Sequence, residues 1–197
     1  RTLVARRGDD GRWIEVSYAD MLARAKAIAA ALVARGLSVE RPVAILSGNG
    51  IEHLAMSLGC AWAGVAYSPI SPAYSLISKD FGKLRHVLGK LTPGLVFVDD
   101  AEAFGAAIEA VVPADTEVVA VRGRLPGREL TAFDALLATE AGAALDAAHA
   151  AVGPDTVVKF LFTSGSTRLP KGVITTNRMI CANQQMLRQS LTFLQTE

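Results

Sequence analysis

Short apolar runs alternate with longer amphipathic stretches along most of the chain. Runs of strand length fall at residues 42–46, 65–67, 95–98, 117–121 and 157–162. Between several of them, apolar residues recur every three or four positions, a spacing typical of helices with one buried face. Strands that alternate with helices in this way predict βαβ units. The predicted fold class is therefore α/β, a mostly parallel β-sheet with flanking helices.

The helices have recognisable ends. The first is predicted at residues 18–34, because Ser17 has the character of an N-cap and Gly36 fits the position just after a helix. Further helices are predicted at residues 51–63, 78–90, 101–111 and 133–137. The alanine-rich stretch at 138–151 is compatible with either a helix or a mobile linker. Before the first helix, two short apolar runs within residues 3–16 flank a glycine-rich turn and predict a β-hairpin.

A last helix is predicted after Thr176, which is a plausible N-cap. Its apolar residues fall on one face, which predicts a helix packed against the core. The residues of that face are Met179, Ile180, Met186, Leu187 and Leu191.

The stretch with the most chemistry is residues 163–172, TSGSTRLPKG, which stands between the apolar run at 157–162 and a second strand-like run at 173–175. Glycines let the backbone approach a ligand closely, and backbone N–H groups, hydroxyls and an ammonium group together bind phosphate oxygens. The hydroxyls are those of Thr163, Ser164, Ser166 and Thr167, and the ammonium is that of Lys171. These residues predict a phosphate-binding loop at strand ends, with a simple surface turn as the alternative.

The Walker A motif, GxxxxGK[ST], is the most similar alternative motif, but the sequence departs from it at two positions. Pro170 stands where that motif has glycine, and proline has no N–H to donate. Lys171 is followed by Gly172 and a strand-like run instead of a hydroxyl residue that opens a helix. A kinase or GTPase loop is therefore disfavoured.

The loop resembles the signature [ST]SG[ST]TGxPKG of the adenylate-forming superfamily, which includes acyl- and aryl-CoA synthetases, luciferases and the adenylation domains of peptide synthetases. The sequence departs from that pattern at Arg168, where the family has glycine. Residues 60–72 resemble the family element LKAGxAYVPxxP, and residues 17–21 resemble its TYxEL element. The resemblance extends from about residue 13 to the end of the chain.

A narrower resemblance is to feruloyl-CoA synthetases. It rests on residues 71–76 and 178–186, and on the basic residue Arg168. Asn177 occupies a position that is often histidine in related ligases. The resemblance therefore implies an aromatic acid such as ferulate as the substrate.

The superfamily resemblance implies two half-reactions with ATP, Mg²⁺ and coenzyme A. A carboxylate attacks the α-phosphorus of ATP and releases pyrophosphate, and the CoA thiol then displaces AMP from the acyl-adenylate. The loop would bind the phosphates through Thr163, Ser164, Gly165, Ser166, Thr167, Lys171 and Gly172. Lys171 is the implied catalytic residue, because its charge would offset the charge that develops on pyrophosphate. No metal ligand is predicted in the chain.

The length of 197 residues suits one ordinary domain but is short for a whole enzyme of this kind. We expect residues 1–197 to be a partial N-terminal AMP-binding domain, truncated and inactive alone. A non-catalytic module that binds a phosphate-bearing ligand or another protein is the alternative. A chain of 51% hydrophobic residues also leaves self-association possible, including as homo-oligomers.

Charge and cysteine content narrow the choice of partners. The net charge is +1, from 20 basic and 19 acidic residues, which gives no argument for nucleic acid. No run of 18 apolar residues occurs, so membrane insertion is not expected. Cys60 and Cys181 lie in apolar helical contexts without CxxC spacing and are predicted to be reduced core thiols. The predicted location is the cytoplasm.

Overall fold

The computed structural model describes residues 1–8, 10–163, 169–191 and 193. Its strands are β1 (Thr2–Arg7), β2 (Trp13–Ser17), β3 (Val43–Leu46), β4 (Tyr67–Pro69), β5 (Leu95–Asp100), β6 (Glu117–Arg122), β7 (Thr131–Ala132), β8 (Val157–Thr163) and β9 (Lys171–Thr176). Its helices are α1 (Tyr18–Ala34), α2 (Ile51–Ala63), α3 (Ala73–Leu76), α4 (Gly82–Leu91), α5 (Gly105–Val111), α6 (Phe133–Leu137), α7 (Ala143–Ala150) and α8 (Asn177–Ser190).

A twisted layer of seven strands runs through the molecule in the order β7-β6-β5-β3-β4-β8-β9. Neighbouring strands are parallel except for β8 and β9, which form an antiparallel hairpin at one edge. Strands β1 and β2 form a separate antiparallel pair. The predicted α/β fold with a mostly parallel sheet and flanking helices is confirmed, as is the opening hairpin.

Each face of the large sheet has its own apolar core. Alternate side chains of a strand point to opposite faces, so Val43 and Ile45 join one core while Ala44 and Leu46 join the other. Helices α1, α2, α6 and α7 cover the first face, and helices α4 and α5 cover the second. The site described below lies on the side of α4.

The hairpin β8–β9 is joined to the parallel sheet through few backbone contacts. The ladder between β4 and β8 consists of the pair Tyr67 and Lys159. The buried hydroxyl of Ser68 adds a hydrogen bond of 2.8 Å to the carbonyl oxygen of Phe160. This buried bond helps to fix the strand that leads into the loop.

The start of α4 differs from the prediction at residue 78. The helix begins at Gly82, because Phe81 has a φ of +52° and the Asp80 carboxylate accepts the Gly82 N–H at 3.1 Å. The short helix α3 was not predicted, and α5 begins four residues later than expected, at Gly105. The alanine-rich stretch contains the helix α7, and the predicted helix α6 is confirmed.

The prediction of a buried inner face on the last helix is wrong. Helix α8 has no buried residue within the part of the chain that the structure describes. Four of the five predicted inner residues are at least 39% exposed, and they are Met179, Met186, Leu187 and Leu191. The helix follows the edge strand β9, so the described sheet offers it no covered face. Cys181, on this helix, is exposed and not a core thiol, whereas Cys60 is buried and both cysteines are free.

Candidate phosphate-binding site

The hairpin β8–β9 brings both ends of the predicted loop together. Thr163 is the last residue of β8 and Lys171 the first of β9, and the two are partners in the ladder. The Thr163 hydroxyl lies 3.5 Å from the Lys171 carbonyl oxygen, which is a long hydrogen bond. Ser164, Gly165, Ser166, Thr167 and Arg168 lie outside the described residues. The structure thus places Thr163 and Lys171 side by side at the base of the loop.

The end of the loop before Lys171 lies against α4. Pro170 is buried between the exposed residues Leu169 and Lys171. Its carbonyl oxygen lies 3.0 Å from Nε2 of His86, a residue 84 positions earlier in the chain. A buried carbonyl needs a hydrogen-bond partner, and His86 supplies one here.

A cavity of about 570 Å³ opens beside this contact. Its apolar wall is formed chiefly by Leu91, Phe160, Phe162, Leu169, Pro170 and Ile174. Its charged or ionisable lining residues are His86, Lys90 and Lys171, and none of the described lining residues is a carboxylate. An apolar wall with a basic rim suits a ligand that has an apolar part and a negatively charged part.

Gly172 lies opposite Phe162 in the hairpin. A Cβ atom at Gly172 would come within 3.4 Å of the phenyl ring, at the tight end of ordinary contact. A small side chain at this position would therefore contact the Phe162 ring, which lines the cavity, without a clash. Its role in close approach of a phosphate stays a prediction.

His86 and Lys90 are site residues that the sequence analysis missed. They are one turn apart on α4, so they lie on the same side of that helix. The spacing of two basic residues was visible in the sequence. Their proximity to residue 171 was not, because it depends on how α4 packs on the sheet.

Asn177 and Arg178 hold the start of α8 to the turn before β8. The Asn177 side-chain amide donates to the Gly153 carbonyl at 3.1 Å, and the Arg178 guanidinium pairs with Asp155 at 3.1 Å. Asn177 therefore has a structural contact in this chain. That contact lies at the end of β9 opposite to Lys171.

A second polar cluster lies at the carboxyl ends of β3 and β5. The Ser47 hydroxyl is 2.8 Å from Nδ1 of His53, and the Gly48 N–H donates to Asp99 at 3.1 Å. Burial lowers the pKa of His53, while a backbone hydrogen bond with Gly48 and the Asp99 charge act in the opposite direction. The neutral imidazole is the favoured form in the folded protein.

Metal sites and membrane spans are two further features that the described residues bear on. Over residues 1–8, 10–163, 169–191 and 193, no cluster of three or more histidine, cysteine, aspartate or glutamate side chains is arranged to hold a metal ion. In the same part of the chain, none of the helices is both long enough and apolar enough to span a bilayer.

Comparison with known proteins identifies the family of this chain. A family model described as AMP-binding enzyme matches residues 1–196. The chain belongs to the AMP-binding enzyme family. The superfamily resemblance seen in the sequence is thereby confirmed.

Relatives of this member of the AMP-binding enzyme family include proteins named as ligases for different acids. The indoleacetate–CoA ligase of Aromatoleum aromaticum is 30% identical over 160 residues, which cover 81% of this chain and 30% of that protein. The fatty acid–[acyl-carrier-protein] ligase ScoC of Streptomyces coeruleorubidus is 29% identical over 172 residues, or 87% of this chain and 30% of that protein.

The fold of this family member is that of the N-terminal domain of adenylate-forming enzymes. The crystal structure of ATP-bound MatB from Rhodopseudomonas palustris aligns with a TM-score of 0.67 and 28% identity. The alignment covers 95% of this chain and 35% of MatB. The chain thus spans about a third of the length of these relatives.

Proposed function

We propose that residues 1–197 form the first part of an AMP-forming acid–CoA ligase, and contribute its phosphate-binding loop, residues 163–172. Membership of the AMP-binding family supports the use of ATP, and the relatives named above are ligases that act on carboxylic acids. Because the chain covers about a third of those relatives, we expect the rest of the catalytic machinery to come from residues beyond this chain.

The observation that carries the proposal is the position of Lys171. The residue is exposed, begins β9, pairs with Thr163 across the base of the hydroxyl-rich loop, and lines the cavity with the basic rim. An ammonium group at this point is suited to hold the β- and γ-phosphates of ATP and to offset the charge that develops on leaving pyrophosphate. We assign phosphate binding also to Thr163, Ser164, Gly165, Ser166, Thr167 and Gly172.

In the proposed reaction, an oxygen of the substrate carboxylate bonds to the α-phosphorus of ATP while the bond from that phosphorus to the pyrophosphate oxygen breaks. The CoA thiol, on loss of its proton, then bonds to the acyl carbon of the adenylate, and AMP leaves. The contribution of this chain is to bind and orient the phosphates in the first step. The Mg²⁺ that accompanies ATP would neutralise charge on the phosphates, and no residue of this chain is assigned to hold it.

The substrate we propose is an aromatic acid, with ferulate or another hydroxycinnamate as the first choice. The support is the resemblance at residues 71–76 and 178–186, and a relative whose name specifies indoleacetate, itself an aromatic acid. Benzoate-like and medium-chain fatty acids are the next candidates. A cytoplasmic location and a possible homo-oligomer stay predictions from the sequence.

The test is acid-dependent exchange of labelled pyrophosphate into ATP by the full-length protein that contains this chain. The acids tested are ferulate, indoleacetate, benzoate and octanoate. In a second step, CoA is added and the acyl-CoA product is detected. We expect exchange that is strongest with ferulate. Exchange with another acid alone would contradict the ferulate assignment and keep the ligase, whereas no exchange with any acid would favour the phosphate-ligand or protein-binding module.

A further inference from the structure

We propose that His86 is a positioning residue for the loop, which holds Lys171 in place by hydrogen bonding to the carbonyl oxygen of Pro170. The inference rests on the proposed function, because it assigns the residue that orients the phosphate-binding lysine. It concerns a contact between the second helical layer of the fold and the edge hairpin.

The peptide unit between Pro170 and Lys171 links the hydrogen bond of His86 to the lysine. The Pro170 carbonyl and the Lys171 N–H belong to the same planar peptide group, so a bond that fixes the carbonyl also fixes the direction of the Lys171 N–H and Cα. His86 Nε2 lies 3.0 Å from that oxygen. The imidazole therefore sets the orientation of the backbone at the residue that carries the ammonium group.

Lys171 begins an edge strand of the described sheet. Strand β9 is the last strand of the sheet and is paired on one side, with β8. Val173 and Ile174, which follow in β9, are 47% and 56% exposed. Exposed edge strands have low local stability, so a further contact at the start of β9 is expected to restrict Lys171.

Helix α4 is firmly packed against the sheet. Its inner residues are buried in the second core, and they are Leu84, Val87, Leu88 and Leu91. His86 therefore projects from a helix whose position is fixed by packing, which is what a residue that positions a functional group requires. Leu169, just before Pro170, lines a second cavity together with Tyr74 and Lys83.

The surroundings of His86 are basic. Lys90 lies one turn further along α4 and Lys171 lies on β9, and both line the cavity with His86. The imidazole can donate through Nε2 in its neutral Nε2–H form or in its protonated form. A histidine at this position can therefore donate to the Pro170 carbonyl without placing a negative charge near a site for an anion.

The test compares His86→Leu with His86→Gln in the full-length protein. Leucine removes the donor, whereas the glutamine amide can still donate to a carbonyl. We expect His86→Leu to raise the KM for ATP or lower the rate of pyrophosphate exchange by about 3- to 10-fold in total, the range set by loss of one hydrogen bond. The KM for the acid should not change, and His86→Gln should stay within about twofold of wild type.

His149→Leu is the matched control. His149 lies on α7, which covers the opposite face of the sheet, and its Nδ1 lies 3.0 Å from the Trp62 carbonyl oxygen. The control variant therefore also removes a bond between a histidine and a carbonyl, but away from the loop. We expect its exchange kinetics to match wild type. An equal effect of His149→Leu on the KM for ATP would contradict a local role of His86.

A second readout is independent of activity. Amide hydrogen exchange of the peptides that cover residues 163–175, measured without any ligand, should be faster in His86→Leu than in wild type and close to wild type in His86→Gln. If amide hydrogen exchange of these peptides is the same in His86→Leu as in wild type, the inference is overturned, even if the protein proves to be a ligase. Amide hydrogen exchange that is faster in His86→Leu, in a protein without pyrophosphate-exchange activity, would support the role of the His86 contact. The same result would reject the proposed function.

Discussion

His53 is a half-buried histidine whose surroundings are expected to make stability depend on pH. Burial lowers its pKa below the ordinary value of about 6.5, and its Nδ1 meets the buried Ser47 hydroxyl. The unfolded chain therefore binds more protons than the folded chain once the pH falls below about 6.5. The contribution of His53 therefore does not lower stability well above that pH, and it lowers stability increasingly as the pH falls through and below it.

We predict that His53→Asn makes stability less dependent on pH. Asparagine can still hydrogen-bond with Ser47 but does not titrate. Urea unfolding between about pH 5.5 and 7.5 measures the effect, and the free energy of unfolding of wild type should fall more steeply toward low pH than that of the variant. Parallel curves for the two proteins would show that His53 contributes nothing to the pH dependence.

At the scale of elements, α1 and α2 approach each other closely at a glycine. A Cβ atom added at Gly59 would lie 2.6 Å from Cγ2 and 2.8 Å from Cβ of Ile28, which are too short for real contacts. Both residues are buried, Ile28 on α1 and Gly59 on α2. The two helices therefore pack at this distance because residue 59 has no side chain.

We predict that Gly59→Ala lowers the free energy of unfolding by about 1–3 kcal/mol, the usual cost of overpacking a core. The control is Gly89→Ala on α4, where an added Cβ atom meets nothing within 4 Å. Alanine in an exposed helix interior is more favourable than glycine, so this variant should gain roughly 0.5–1 kcal/mol. Thermal or urea unfolding measures both, and a gain of stability in Gly59→Ala would contradict the packing described here.

At the scale of the whole molecule, the sequence predicts local features better than distant contacts. Helix α1 begins and ends where Ser17 and Gly36 indicate, because caps are local signals. The start of α4 was misplaced because the left-handed conformation of Phe81 has no clear signal in the sequence. The exposure of α8 was missed because periodicity shows an apolar face and not what covers it.

The candidate site divides in the same way. The sequence motif predicts Thr163, Lys171 and Gly172 as site residues. In the structure, Thr163 and Lys171 are partners in the β8–β9 ladder. The contribution of His86 depends on a contact across 84 positions, so no pattern within the loop could reveal it. The loop can thus be predicted from its sequence motif. The basic residues that line the cavity can be identified only once the packing of α4 on the sheet is known.

The central claim is that Lys171 binds the phosphates of ATP during adenylate formation. Its most direct test is pyrophosphate exchange by Lys171→Ala in the full-length protein, with the acid that supports the fastest exchange. We predict a loss of about 2–4 kcal/mol of transition-state stabilisation, as expected for one preorganised group that stabilises developing charge. That loss corresponds to roughly a 30- to 900-fold lower rate.

Lys26→Ala is the control, because Lys26 lies near the Trp62 ring, 5.1 Å from its centroid, on the opposite face of the sheet. The account predicts that this variant exchanges pyrophosphate at the wild-type rate while Lys171→Ala does not. Exchange by Lys171→Ala as fast as by wild type would contradict the assignment of Lys171 and, with it, the proposed role of the loop.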